Sequence, residues 1–136
     1  MNKKVIKISF TGDIMCESIQ INSHKVNEEK YDFSEIFSDM KNYFKKSDYV
    51  VANLETPIAG AELGFCDRKF SFNTPEEFLI SIKDMRVNLV ITANNHCLDR
   101  GVGELVNTIK TLDKYVLSHI GTYNKKIMDL LRMLMK

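Results

Sequence analysis

Three short runs of strand-favouring residues, 5–12, 49–55 and 88–94, each stop at polar side chains, and amphipathic stretches separate them. This alternation of strand and helix signals is the strongest constraint on the fold. It predicts an α/β chain whose strands form a mostly parallel sheet joined by right-handed crossovers and flanked by helices. In the first run, VIKISFTG, Ile6, Ile8 and Phe10 alternate with Lys7 and Ser9, the period of a half-buried strand that ends in a Gly-Asp turn. YVVANLE reads as a buried strand. NLVITAN is almost continuously apolar, as in a central parallel strand covered on both faces.

Helix signals fill the intervals. Residues 34–47 carry Ile36, Phe37, Met40 and Phe44 on one face, with Ser34 as N-cap. A second helix opens at Thr74-Pro75, where Thr74 suits the cap, Pro75 the first turn, and Glu76 and Glu77 the positive end of the helix dipole. Residues 103–115 place Leu105, Ile109 and Leu112 at helical spacing, and a short strand follows at 118–121. Residues 14–32 are polar and irregular, fitting a hairpin or a loop, and FSFN at 70–73 fits a short edge strand. Residues 1–124 read as one unit. Residues 125–136 read as a Met/Leu-rich helical tail with Ile127, Leu130, Leu131 and Leu134 on one side.

A length of 136 residues allows one domain at most, and 44% apolar with 27% charged residues is a globular mixture. With 19 basic and 18 acidic residues interspersed, the chain has no basic footprint for DNA or RNA. The basic, interrupted N-terminus is too short for a signal peptide or a membrane span. Cys16, Cys66 and Cys97 form no CxxC pair, which argues against a disulfide framework and makes a reducing cytoplasm the expected compartment. Cys16 and Cys97 adjoin site motifs, so a thiol ligand competes there with plain packing.

Ligands of open α/β sheets collect at the carboxyl ends of strands. The three runs end in Gly12-Asp13, in Asn53-Leu54-Glu55 and in Asn94-Asn95-His96. Asn53 and Glu55, two apart, share a face if the strand continues. Two carboxylates, carboxamides and an Asn-His pair suit one or two divalent ions such as Mn, Fe, Zn or Mg. Such ions generate a hydroxide nucleophile while a histidine hands a proton to the leaving group. Asp99, three residues after His96, is spaced to fix its tautomer. Plainer readings stand beside these: a turn or cap for Asp13 and Asp99, loop capping for Asn53 and Glu55, incidental placement for His24 and His119.

GDIM, DYVVANLETP, FSFNTPEEF, ITANNHCLDRG and HIGTY, in that order over residues 5–123, resemble the motifs of CapA-type poly-γ-glutamate capsule synthesis proteins. That family is similar in fold to the calcineurin-like metallophosphoesterases, whose two-metal site is built from strand-end loops of a two-sheet sandwich. The resemblance implies Asp13 as the first metal-binding aspartate, Glu55 as the bridging acid with Asn53 beside it, Asn95 as a metal-ligating asparagine and His96 as the catalytic histidine, with Asp99 supporting it. Met15 stands where many phosphoesterases carry a ligating histidine.

The resemblance further implies a phosphoester or anionic-polymer substrate and capsule-synthesis machinery as partners. Family members continue beyond the GTY-like segment, whereas this sequence closes with KKIMDLLRMLMK. The expectation is an incomplete sandwich, impaired as a hydrolase and prone to self-association. A non-catalytic polymer-binding or assembly role is the alternative.

Overall fold

A computed structural model describes residues 4–66, 69–125 and 133. Four strands form one sheet: β1 (Ile8–Ile14), β2 (Tyr49–Leu54), β3 (Leu89–Ile91) and β4 (Ser118–Ile120). Every pairing is parallel, in the order β1-β2-β3-β4. Strands laid down consecutively in one direction with right-handed crossovers put every connecting helix on the same face. Accordingly, Val50, Ala52, Leu54 and Val90 pack in one core with Ile21, Phe44, Phe78, Ile82 and Leu112.

Among the described residues the chain forms α-helices α1 (Ser18–Ser23), α2 (Ser38–Phe44), α3 (Phe78–Asp84) and α4 (Val102–Lys114). In α4 the expected stripe is present, with Thr108, Ile109, Thr111 and Leu112 buried. Gly101 opens that helix at φ 99°, a conformation that side-chain-bearing residues rarely adopt. α1 falls in the stretch read as irregular; it buries only Ile21, too weak a periodic signal to read.

The other sheet face is partly open: Val51 on it is buried, while most of its neighbours are exposed. In register across it stand Ile8 and Phe10, then Tyr49 and Val51, then Leu89 and Ile91, then Ile120. Phe10 is 74% exposed and Ile91 37%. The expectation of a β3 covered on both faces is therefore corrected: Val90 enters the helix-packed core, while Leu89 and Ile91 on the other face keep part of their surface exposed. The arrangement is an α/β sheet consistent with an incomplete sandwich.

Several local expectations also change. β1 runs to Ile14, so Asp13 lies inside the strand and not in a turn after it. Residues 34–37 precede α2, because the Asp32 carboxylate captures the Ser34 backbone N–H at 2.9 Å and Ser34 caps nothing. Thr74 is not the cap of α3. It is fully buried, and its hydroxyl bonds Thr56 at 2.7 Å and the Cys16 carbonyl at 3.3 Å. FSFN forms no named strand; Phe70 takes φ 58° and Asn73 is buried in a loop. The tail expected at 125–136 lies outside the described residues except at 125 and 133.

Candidate functional site at the carboxyl edge

The local geometry of β1 decides where Asp13 points. Phe10 pairs with Val51 and Asp13 with Asn53, so three steps along β1 match two along β2. This bulge resets the inward-outward alternation. Without it Asp13 would share parity with the helix-facing residues; with it, Ile14 enters the core beside Leu54 and Asp13 stands level with Asn53. A bulge has no composition signature in a run such as FTGD, so the sequence could give the residue but not its aim.

A hydrogen-bonded chain crosses the strand ends. The Asn53 side-chain amide donates to Asp13 Oδ1 at 2.8 Å, and the Asn94 amide donates to Asn53 Oδ1 at 3.1 Å and to the Leu54 carbonyl at 2.9 Å. The Glu55 backbone N–H extends the pairing to the Ile14 carbonyl at 3.0 Å. The Asn53 bond, and then a bond with Glu55, hold the Asp13 carboxyl below its ordinary range. Glu55 is pushed upward by its bond with Asp13, by partial burial and by the Asp13 charge, with His96 acting in the opposite direction. The two carboxyls are close enough to share a proton, an arrangement that a cation would relieve.

Asn94 is the asparagine of this chain, whereas the favoured Asn95 is exposed on the following turn. The signal for Asn94 was its position: it ends the NLVITAN run one residue closer to the strand. His96 lies on that turn, which the Asn94 Oδ1 supports by accepting the His96 N–H at 3.1 Å.

His96 itself is held by a second set of contacts. Its Nδ1 is 2.9 Å from Asp99 Oδ2, and the side chains are 16% and 11% exposed. The Phe72 N–H donates to the same Asp99 oxygen at 2.8 Å, and the Phe72 ring meets the imidazole edge-on, centroids 4.6 Å apart. Because Asp99 only accepts, Nδ1 carries the hydrogen and Nε2 is left as the reactive nitrogen.

Cys16, His24 and His119 have structural explanations. Cys16 is fully buried in the core, and burial, followed by nearby Cys66 and Glu17, pushes its thiol up to about 12, which disfavours the thiolate that a metal needs. His24 stacks on Phe33, and His119 faces Asp113 at 3.2 Å. Among the described residues no group of three or more His, Cys, Asp and Glu could hold a metal ion. What fits is narrower: two carboxylates with carboxamide oxygens at their side, a hard-oxygen set suited to a single Mg- or Mn-like cation. An open hollow of about 560 Å³ adjoins this edge, lined by Asn94, Cys97, Leu98, Thr122 and Tyr123 among others. Among the described residues no helix is long and apolar enough to cross a membrane.

Comparison with known proteins gives one family match, to "Bacterial capsule synthesis protein PGA_cap", over residues 7–129. The PGA biosynthesis protein CapA of Bacillus subtilis (strain 168) is 33% identical over 118 residues, covering 86% of this chain and 30% of that protein. The capsule biosynthesis protein CapA of Bacillus anthracis is 27% identical over 121 residues, covering 85% of this chain and 28% of that protein. The chain thus spans less than a third of the length of these relatives.

Proposed function

The chain belongs to the bacterial capsule synthesis protein PGA_cap family, and from that premise we propose that its strand-end cluster is a divalent-cation-dependent phosphoester-hydrolase site serving capsular polymer synthesis. The observation that carries this reading is the approach of Asp13 and Glu55, two like charges brought together by strand register and a bulge. Structural packing gains nothing from such a pair, whereas a cation site requires one.

In this reading Asp13, Asn53 and Glu55 would hold the cation, with Asn95 on the adjacent exposed turn as a further oxygen donor. When bound, the cation neutralises phosphoryl charge and lowers the pKa of a coordinated water. His96, oriented through Nδ1 by Asp99, presents Nε2 to the leaving oxygen; as the doubly protonated imidazolium it gives that oxygen its Nε2 proton and is left as the neutral Nδ1–H ring. The hollow beside Asn94 receives the part of the substrate that does not react. The described donors hold one ion loosely, so turnover by this chain alone is expected to be weak.

The test is Mn-stimulated hydrolysis of a model phosphodiester by the chain joined to the remaining segment of a close relative. Turnover that His96→Ala reduces by about a hundredfold or more, the usual scale of a general acid, supports the reading. Turnover unchanged by that substitution would refute it. A non-catalytic role in polymer binding or assembly has its own support, since the described residues hold no cluster of three or more classical metal ligands. Stable binding of an anionic polymer, without hydrolysis by the joined protein, would favour it.

A further inference from the structure

We propose that Arg100 is a positioning residue for the His96 imidazole, acting through the loop 57–74; this rests on the reading of His96 as the proton donor. Among the described residues Arg100 hydrogen-bonds three carbonyls of one loop: Nε to Phe72 at 3.1 Å, Nη1 to Leu63 at 3.0 Å and Nη2 to Ser71 at 2.9 Å. The loop is closed at its neck by the Thr74 N–H on the Pro57 carbonyl at 3.0 Å. Asn73 ties it internally, accepting from Ala59 N–H and donating to the Gly60 and Gly64 carbonyls.

Such bonding has something to hold against. Gly60 and Gly64 take positive φ, and so do Cys66 at 46° and Phe70 at 58°. A residue other than glycine in that region is strained, and it persists only where surrounding contacts fix it. Arg100 supplies those contacts across the stretch that carries Phe70 and ends at Phe72. Ser71 Oγ adds a bond to the Asp99 carbonyl at 3.2 Å.

The consequence falls on His96. The loop delivers the Phe72 N–H to Asp99 and the Phe72 ring edge to the imidazole. Asp99 is therefore oriented from the loop side by Phe72 while it orients His96 from the other. Arg100, adjacent to Asp99 in sequence, locks the loop and the turn into one unit. A planar guanidinium with forked donors can serve three carbonyls at once; a lysine ammonium of different shape and reach cannot reproduce that geometry.

The test is long-range ¹⁵N–¹H NMR of the histidine rings in the 136-residue chain, for wild type, Arg100→Lys and Phe72→Leu. Wild type is expected to show His96 as a single Nδ1–H tautomer with a slowly exchanging proton. In Arg100→Lys that proton exchanges about tenfold faster or more, as local opening becomes easier, and the Nε2–H tautomer appears. Phe72→Leu, which keeps every backbone bond of the loop, shows the same mixture of tautomers to a smaller extent. His24 and His119 are internal controls and remain unchanged in both variants.

A wild-type His96 spectrum in Arg100→Lys, with only a lower Tm, would make Arg100 a stabilising residue alone and overturn the proposal. Should Arg100→Lys fail to fold, Phe72→Leu decides: an unaltered His96 tautomer overturns it. Absence of the Nδ1–H tautomer in wild type would do the same. These readouts need no activity, so a joined protein whose turnover ignores His96→Ala defeats the catalytic reading and leaves the positioning result intact.

Discussion

The two clusters at the carboxyl edge share one sheet and are built on opposite principles. The Asp13–Asn53–Glu55–Asn94 cluster is set by strand register, exposes Asp13 while its other members are half-buried, and gathers like charge. The Phe72–His96–Asp99–Arg100 cluster is set by a loop, is half-buried, and leaves its carboxylate and guanidinium bonded several times over. In the first, the raised pKa of Glu55 is set against the hydrogen bonds that favour ionised Asp13, while the second bonds its charged groups and fixes one side chain. Removing the Glu55 charge and weakening the Asp99 bonds should therefore differ in sign.

The largest effect should come from beneath both. Phe78 is fully buried and packs its ring against Phe33 at 5.3 Å and Phe37 at 5.6 Å. Phe78→Ala should cost about 3–5 kcal/mol in denaturant unfolding, a large share of the stability of a chain this size. Loss of one cluster without the other in that variant would show that they do not share a scaffold.

Next is Asp99→Asn, which keeps the shape and weakens two bonds to a mostly buried carboxylate. It should destabilise the chain by about 1–3 kcal/mol, read by the same unfolding curves. A neutral result would mean that the second cluster contributes no more to the fold than the first.

The smallest effect has the opposite sign. Glu55 has a raised pKa, so its contribution to stability is present below its ordinary value of 4.5 and lost as pH rises through the raised one. Asp13 has a lowered pKa, so its contribution is present above its ordinary value of 3.8 and lost as pH falls through the lowered one. At a pH where both are ionised they repel. Glu55→Gln should then raise Tm slightly in metal-free buffer, and the gain should vanish where Glu55 is protonated. A fall in Tm at neutral pH would show that Glu55 stabilises the fold and would blur the contrast.

The same contrast explains what the sequence made legible. Parallel α/β order, β2, β4 and α4 follow from apolar runs and helical spacing, and these give the strand-end residues of the first cluster. The bulge between Phe10 and Asp13 was hidden, because inserting one residue changes register without changing composition. The sequence also indicated that His96 and Asp99 could pair, from spacing alone. It gave no sign that Phe72 and Arg100 complete the unit, because their link runs through backbone carbonyls of a loop in which Gly60, Gly64, Cys66 and Phe70 take positive φ. The partly open sheet face was unreadable for a related reason: an apolar strand looks the same whether one face or both are covered, and strand order settles which.

The central claim is that the first cluster, and not the second, is a cation site. Calorimetric titration of Mn into the metal-free chain tests it directly, comparing wild type with Asp13→Asn and Asp99→Asn. The account predicts weak binding to one site in wild type, a loss of affinity of about tenfold or more in Asp13→Asn, where a charged oxygen ligand is removed, and affinity within about twofold of wild type in Asp99→Asn. Equal binding by all three proteins, or binding lost only in Asp99→Asn, would contradict it.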